Sequence, residues 1–114
     1  MKSEIKKPWG TFEILEEGTK YSVKKITIVP GGKLSLQSHR HRTEHWIIAQ
    51  GEADIIIDEK IYKLKENQNI FIPQGAKHRL MNNTDEKLIV IEMWYGDILE
   101  ENDIIRFEDI YGRK

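Results

Sequence analysis

Apolar and polar residues alternate along most of the chain, with the period of two that a half-buried strand imposes. Residues 11–15 form a short run behind Pro8-Trp9-Gly10. Residues 21–29 are rich in β-branched and aromatic side chains and stop at Pro30-Gly31-Gly32. Residues 33–39 alternate cleanly, with Leu34 and Leu36 on one face and Ser35, Gln37 and His39 on the other. Residues 44–49 close on Gln50-Gly51, and residues 53–57 and 60–64 flank Asp58-Glu59, which predicts a tight hairpin. Residues 70–72 stop at Pro73-Gln74-Gly75, residues 78–81 at Asn82-Asn83, and residues 87–94 make the last strong strand. Only residues 101–107 suggest helix, a turn or two capped by Asn102. Eight or nine short strands with regular turn signals predict an all-β domain, a sandwich or small barrel able to hold a small ligand.

Composition narrows this. The 114 residues are 39% hydrophobic and 32% charged, which suits one soluble globular domain over residues 1–114. Eighteen Lys and Arg against nineteen Asp and Glu leave a net charge of −1, so no nucleic-acid partner is expected. The absence of cysteine excludes disulfides, thiol nucleophiles and iron–sulfur clusters. Apolar runs reach only four residues, so no membrane association is expected. The first residues carry no hydrophobic signal core, and the expected compartment is the cytoplasm.

Histidine placement brings in the chemistry. Three of the four histidines, His39, His41 and His45, fall within seven residues, and His78 follows a Pro-x-Gly turn. A single histidine is more often a surface or hydrogen-bonded residue; the cluster points to metal. Gln37 and His39 share a strand face, Glu44 begins the next strand, and His78 comes from a later one. Two imidazoles, a carboxylate and an amide oxygen suit a borderline divalent ion: zinc first, with manganese, cobalt and iron as alternatives.

These residues resemble the cupin family. Gly31, Gln37, His39, Glu44 and Gly51 follow the first cupin motif, with Gln37 in place of its first histidine. A second register, using His39 and His41 as the His-x-His pair, puts His45 at the glutamate position and loses the closing glycine. Asn67, Pro73, Gly75, His78 and Asn82 follow the second motif, with Asn67 in place of its glycine, a change expected to touch a turn more than the metal. The likeness is closer to the type II mannose-6-phosphate isomerases, through Pro8-Trp9-Gly10, residues 34–46, residues 72–80 and the tail ending Tyr111-Gly112-Arg113. It implies a cupin barrel (a double-stranded β-helix or jelly roll), metal ligands Gln37, His39, Glu44 and His78, and interconversion of mannose 6-phosphate and fructose 6-phosphate. In that family the module often lies behind a mannose-1-phosphate guanylyltransferase; this chain is expected to be the isomerase module standing alone.

Such a reaction needs a base, a stabiliser for the developing oxyanion and cations for the phosphate. His41, two residues beyond His39, is the expected base if the strand stays regular; otherwise it orients a ligand. His45 has the opposite parity to Glu44 and is expected to face away. Arg42, Lys77, Arg79, Arg106 and Lys33 are unranked candidates for the phosphate. Trp46 is expected to line the barrel. Asp103, Arg106 and Asp109 are expected to form a salt-bridge cluster closing one end. A homodimer is expected, with the segment from Trp9 to Leu15 pairing across the interface. The rival readings are a non-catalytic binding cupin serving a separate guanylyltransferase, and another metal-dependent enzyme such as a dioxygenase or sugar epimerase.

Overall fold

A computed structural model describes residues 4–113. They form eleven strands: β1 (Glu4–Lys7), β2 (Gly10–Glu17), β3 (Tyr21–Ile28), β4 (Leu36–Ser38), β5 (Thr43–Gln50), β6 (Ala53–Ile57), β7 (Lys60–Leu64), β8 (Asn69–Ile72), β9 (His78–Met81), β10 (Leu88–Tyr95) and β11 (Ile105–Glu108). Two sheets result, in the orders β1-β2-β3-β10-β5-β8 and β11-β4-β9-β6-β7, with every pairing antiparallel. The all-β expectation holds, and no described helix is long and apolar enough to cross a membrane.

Alternation decides what lies between the sheets. On β3 the inward set is Ser22, Lys24, Ile26 and Ile28; on β10 it is Leu88, Val90, Glu92 and Trp94. At one end the inward residues are apolar: Ile28, Ile48, Ile55, Leu80, Leu88 and Val90 are almost fully buried. Each such side chain contributes about 1.5–3 kcal/mol by leaving water. At the other end the same inward rows carry Lys24, Glu44 and Glu92. The apolar end holds the sheets together so that the polar end can stay open.

Two turns show how local chemistry sets the frame. Asp58 and Glu59 both have positive φ (50° and 83°), the twist a two-residue hairpin between β6 and β7 requires. Asn67, standing where the second cupin motif has glycine, takes φ 73°. Asparagine tolerates this left-handed region better than most residues, so the departure is absorbed in a turn, as expected.

Two expectations need correction. The C-terminal helical turn is absent: residues 101–102 form a turn and Ile105–Glu108 become strand β11, because the edge of β4 offers unpaired backbone groups to Arg106 and its neighbours. The segment from Trp9 to Leu15 is not free for a partner chain. It pairs with β1 and β3 within the chain, and Trp9 and Phe12 are in the core.

Candidate metal centre and its cavity

Three strands and one loop bring the proposed ligands together. Gln37 on β4 is the register partner of both His78 on β9 and Arg106 on β11. Facing this row, Glu44 on β5 pairs with Trp94 on β10, and Trp46 pairs with Glu92. His39 lies in the loop just beyond β4, tied down by the Gly75 N–H on its carbonyl oxygen (3.0 Å). Gln37, His39, Glu44 and His78 are all buried. One ligand atom each from His39, Glu44 and His78 falls within 4.8 Å of the others.

Both imidazoles have a fixed tautomer. His39 Nδ1 donates to the carbonyl oxygen of Asp103 (2.6 Å), and His78 Nδ1 donates to that of Ala76 (2.9 Å). Each Nε2 lone pair is thereby turned toward Glu44, 3.0 Å from Oε2 for His39 and 3.9 Å from Oε1 for His78. Backbone support of this kind is what metal-ligating histidines ordinarily have. A lone pair facing a carboxylate at 3.0 Å needs positive charge between or beside the two atoms. Arg42 supplies some, with Nε 2.9 Å from Glu44 Oε2 and Nη2 3.2 Å from His39 Nε2. Gln37 turns its amide nitrogen to the carbonyl and hydroxyl oxygens of Ser35, so its oxygen is the end available to an ion. The donor set fits a divalent cation.

Ionisation agrees. Burial would raise Glu44, but His39, His78 and Arg42 hold it well below the usual carboxylate range. Burial lowers His78 and keeps its imidazole neutral. Glu92 goes the other way: burial, then the neighbouring Glu44 charge, push it well above the usual range. Trp94 Nε1 donates to Glu92 Oε1 (2.9 Å), and Trp46 Nε1 is shared between Glu92 Oε2 (2.9 Å) and Glu44 Oε1 (3.0 Å). Of the two buried carboxyls, Glu92 is the one that takes up a proton more readily.

Gln37, Arg42, Glu44, Trp46, His78, Glu92 and Trp94 line a cleft of about 130 Å³ that opens to solvent. Its wall includes Lys24, packed over the rings of Phe12 (4.7 Å) and Trp94 (3.3 Å) and paired with Glu101. Arg42 also packs on the Trp94 ring and donates to the Glu100 carbonyl oxygen (3.2 Å). The Asp103 carboxylate accepts the N–H groups of Arg40 and His41 (both 2.9 Å), which hold it below its usual range against the effect of its partial burial. Residues 100–104 are thus strapped across one side of the site.

The other sequence candidates separate on this geometry. His41 is exposed and outside the cleft, because β4 ends at Ser38 and strand parity does not carry two residues past His39. His45 faces away as expected, bonded to Asn69 beside Phe71. Trp46 lines the cleft as expected. Arg42 and Arg106 line it; Lys33, Lys77 and Arg79 do not. Lys77 lies over the Phe107 ring, while Arg79 clasps the carbonyl oxygens of Leu34 (2.9 Å) and Glu108 (3.1 Å). The expected salt-bridge cluster is absent: Asp109 pairs with Arg113 (2.8 Å), Asp103 with backbone, and Arg106 with no carboxylate among the described residues. Sequence reading missed Lys24 and Glu92. Both are charged residues at inward positions of otherwise apolar strands, and that parity was the available signal.

Two antiparallel sheets closing on a buried His, His, Glu set define a cupin barrel. The domain of the Staphylococcus aureus capsular polysaccharide assembling protein CapF superposes with a TM-score of 0.79 at 20% identity, over 96% of this chain and 35% of that one. A Cupin 2 conserved barrel domain protein from Salinispora arenicola gives 0.67 at 21% identity, over 75% and 74%. The chain belongs to the family described as Mannose-6-phosphate isomerase C-terminal, which matches residues 1–109. The alginate biosynthesis protein AlgA of Pseudomonas putida is 46% identical over 96% of this chain and 23% of its own length. The mannose-1-phosphate guanylyltransferase ManC of Salmonella typhimurium is 45% identical over 99% and 24%. The chain spans about a quarter of the length of these relatives.

Proposed function

We propose that the chain is a metal-dependent aldose–ketose isomerase acting on mannose 6-phosphate and fructose 6-phosphate. The observation that carries the reading is the convergence of two tautomer-fixed imidazoles on one buried carboxylate, at the wall of a cleft that opens to solvent. Membership of the family supports the substrate class.

Gln37, His39, Glu44 and His78 would hold the ion. When bound, a divalent ion supplies Lewis acidity for the negative charge that builds on a sugar oxygen during proton transfer. His39 and His78 keep their Nε2 atoms presented because Asp103 and Ala76 hold their Nδ1 protons. Glu92 is assigned the proton transfer in place of His41: its carboxylate takes the proton from one carbon, becomes the carboxylic acid, and returns the proton to the adjacent carbon. It lines the cleft, and two indole N–H groups orient its carboxyl. Phe12, Trp46 and Trp94 exclude water from that end.

The test is formation of fructose 6-phosphate from mannose 6-phosphate after chelation, and again with zinc, manganese, cobalt or iron restored. Metal-restored turnover is expected. A folded, metal-binding protein with no turnover under any metal would favour a second reading, a cupin that binds sugar or metal in the service of a guanylyltransferase. One observation speaks for it: relatives that match this chain over a quarter of their length carry the guanylyltransferase name.

A further inference from the structure

Five cations line the cleft: Lys7, Lys24, Arg42, Arg106 and Arg113. Three are already neutralised. Lys24 is paired with Glu101, Arg42 with Glu44, and Arg113 with Asp109. No carboxylate among the described residues lies within ion-pair distance of Lys7 or Arg106. Nor does an acid of the cleft wall remain for them, since Glu44 and Glu101 are engaged and Glu92 is bonded to two indoles.

Arg106 carries a second peculiarity. Its Nε is the buried side-chain nitrogen that finds no hydrogen-bond partner among the described residues. A buried donor left without an acceptor is costly, and native proteins seldom keep one. β11 pairs with β4 through its backbone, so the strand itself does not depend on this side chain. The register sets Arg106 directly beside Gln37, so the orphan donor borders the metal set.

We infer that Arg106, with Lys7, is the anion hook of the cleft and receives a phosphomonoester. The guanidinium offers Nε and a terminal N–H as a planar fork matched to two phosphate oxygens, and Lys7 adds a point charge from the facing sheet. The buried Nε then gains the acceptor it lacks. Naming a hexose 6-phosphate as the owner of that phosphate rests on the isomerase reading; the anion itself does not.

Calorimetric titration of the full chain with inorganic phosphate, mannose 6-phosphate and mannose tests this, with and without metal. Phosphate and mannose 6-phosphate are expected to bind the metal-free protein. Arg106→Gln should weaken both by about 100-fold, the size of a lost charged hydrogen-bond pair. It should leave mannose binding, metal affinity and the melting temperature in place. Arg106→Lys should recover part of the loss and serves if the glutamine variant fails to fold. Arg40→Gln, on an exposed side chain, should change nothing. The inference is overturned if the wild-type chain does not bind phosphate, or if both Arg106 variants bind it as the wild type does. Arg106-dependent phosphate binding without turnover under any metal would sink the isomerase reading and leave the hook standing. Turnover with an unchanged KM in both variants would do the reverse.

Discussion

His39 Nδ1 donates to the carbonyl oxygen of Asp103 at 2.6 Å, across 64 positions of sequence. The ring nitrogen that faces the metal set is therefore presented by a backbone atom of the C-terminal segment. The same residue uses its side chain to hold the backbone of Arg40 and His41. Removing that carboxylate (Asp103→Ala) loosens the loop that carries His39. Metal affinity should fall by about 10- to 100-fold, the range seen when groups supporting a ligand are removed. Titration with a competing chelator reads this; an unchanged affinity would mean that the strap does not position His39.

The ligands themselves are a separate test. His39→Ala and His78→Ala should each reduce metal affinity by more than about 100-fold, beyond what a supporting group is worth. Elemental analysis after dialysis against zinc reads the occupancy. Full occupancy in both variants would show the ligand assignment to be wrong.

Glu92→Gln keeps one acceptor oxygen for Trp94, leaves Trp46 bonded to Glu44, and removes the carboxylate that takes up and returns the proton. Metal occupancy should be unchanged while kcat falls by about 100- to 10,000-fold, the usual worth of a positioned acid or base. His41→Ala, outside the cleft, should stay within about threefold of wild type, since it makes no contact with the reacting groups in this assignment. Equal losses in both would return the proton transfer to His41.

The Asp109–Arg113 pair predicts a pH dependence of stability. Arg113 holds the Asp109 carboxyl down to about 2 from its ordinary 3.8. The folded state thus binds this proton less readily than the unfolded chain. The pair's contribution is in place above pH 3.8 and fades as pH falls through about 2. The Asp109 side chain is covered while Arg113 keeps partial exposure, so the pair is worth about 2 kcal/mol or less. The melting-temperature gap between wild type and Asp109→Asn should therefore be steady from pH 7 to 5 and narrow below pH 4, measured by calorimetry.

Much of this was legible in the chain. Alternation placed the strands, and Gln37 and His39 two residues apart on a strand led to a shared site. Strand parity also separated His45 from Glu44. It failed where the strand stopped: β4 ends at Ser38, so His41 could not be placed by counting. Residues 101–107 carry a cap residue and no strong alternation, and local preference there reads as helix. The open edge of β4, a feature of the assembled sheet, decides for strand. Lys24 and Glu92 lay hidden because each sits within a run whose neighbours read as core. Their charge at an inward position becomes meaningful only once Trp94 and Phe12 are seen to enclose them.

The strap across the site also bears on time. Residues 100–104 hold on through side-chain and backbone links to Lys24, Arg42, His39 and the loop at Arg40, and β11 behind them is four residues long. Short peripheral segments of this kind open at much less cost than the whole fold. An ion leaving the buried donor set then has an exit that does not require the sheets to part. Its exchange rate should follow the lifting of this segment, a protein clock set by the tail and not by the barrel that holds the ligands.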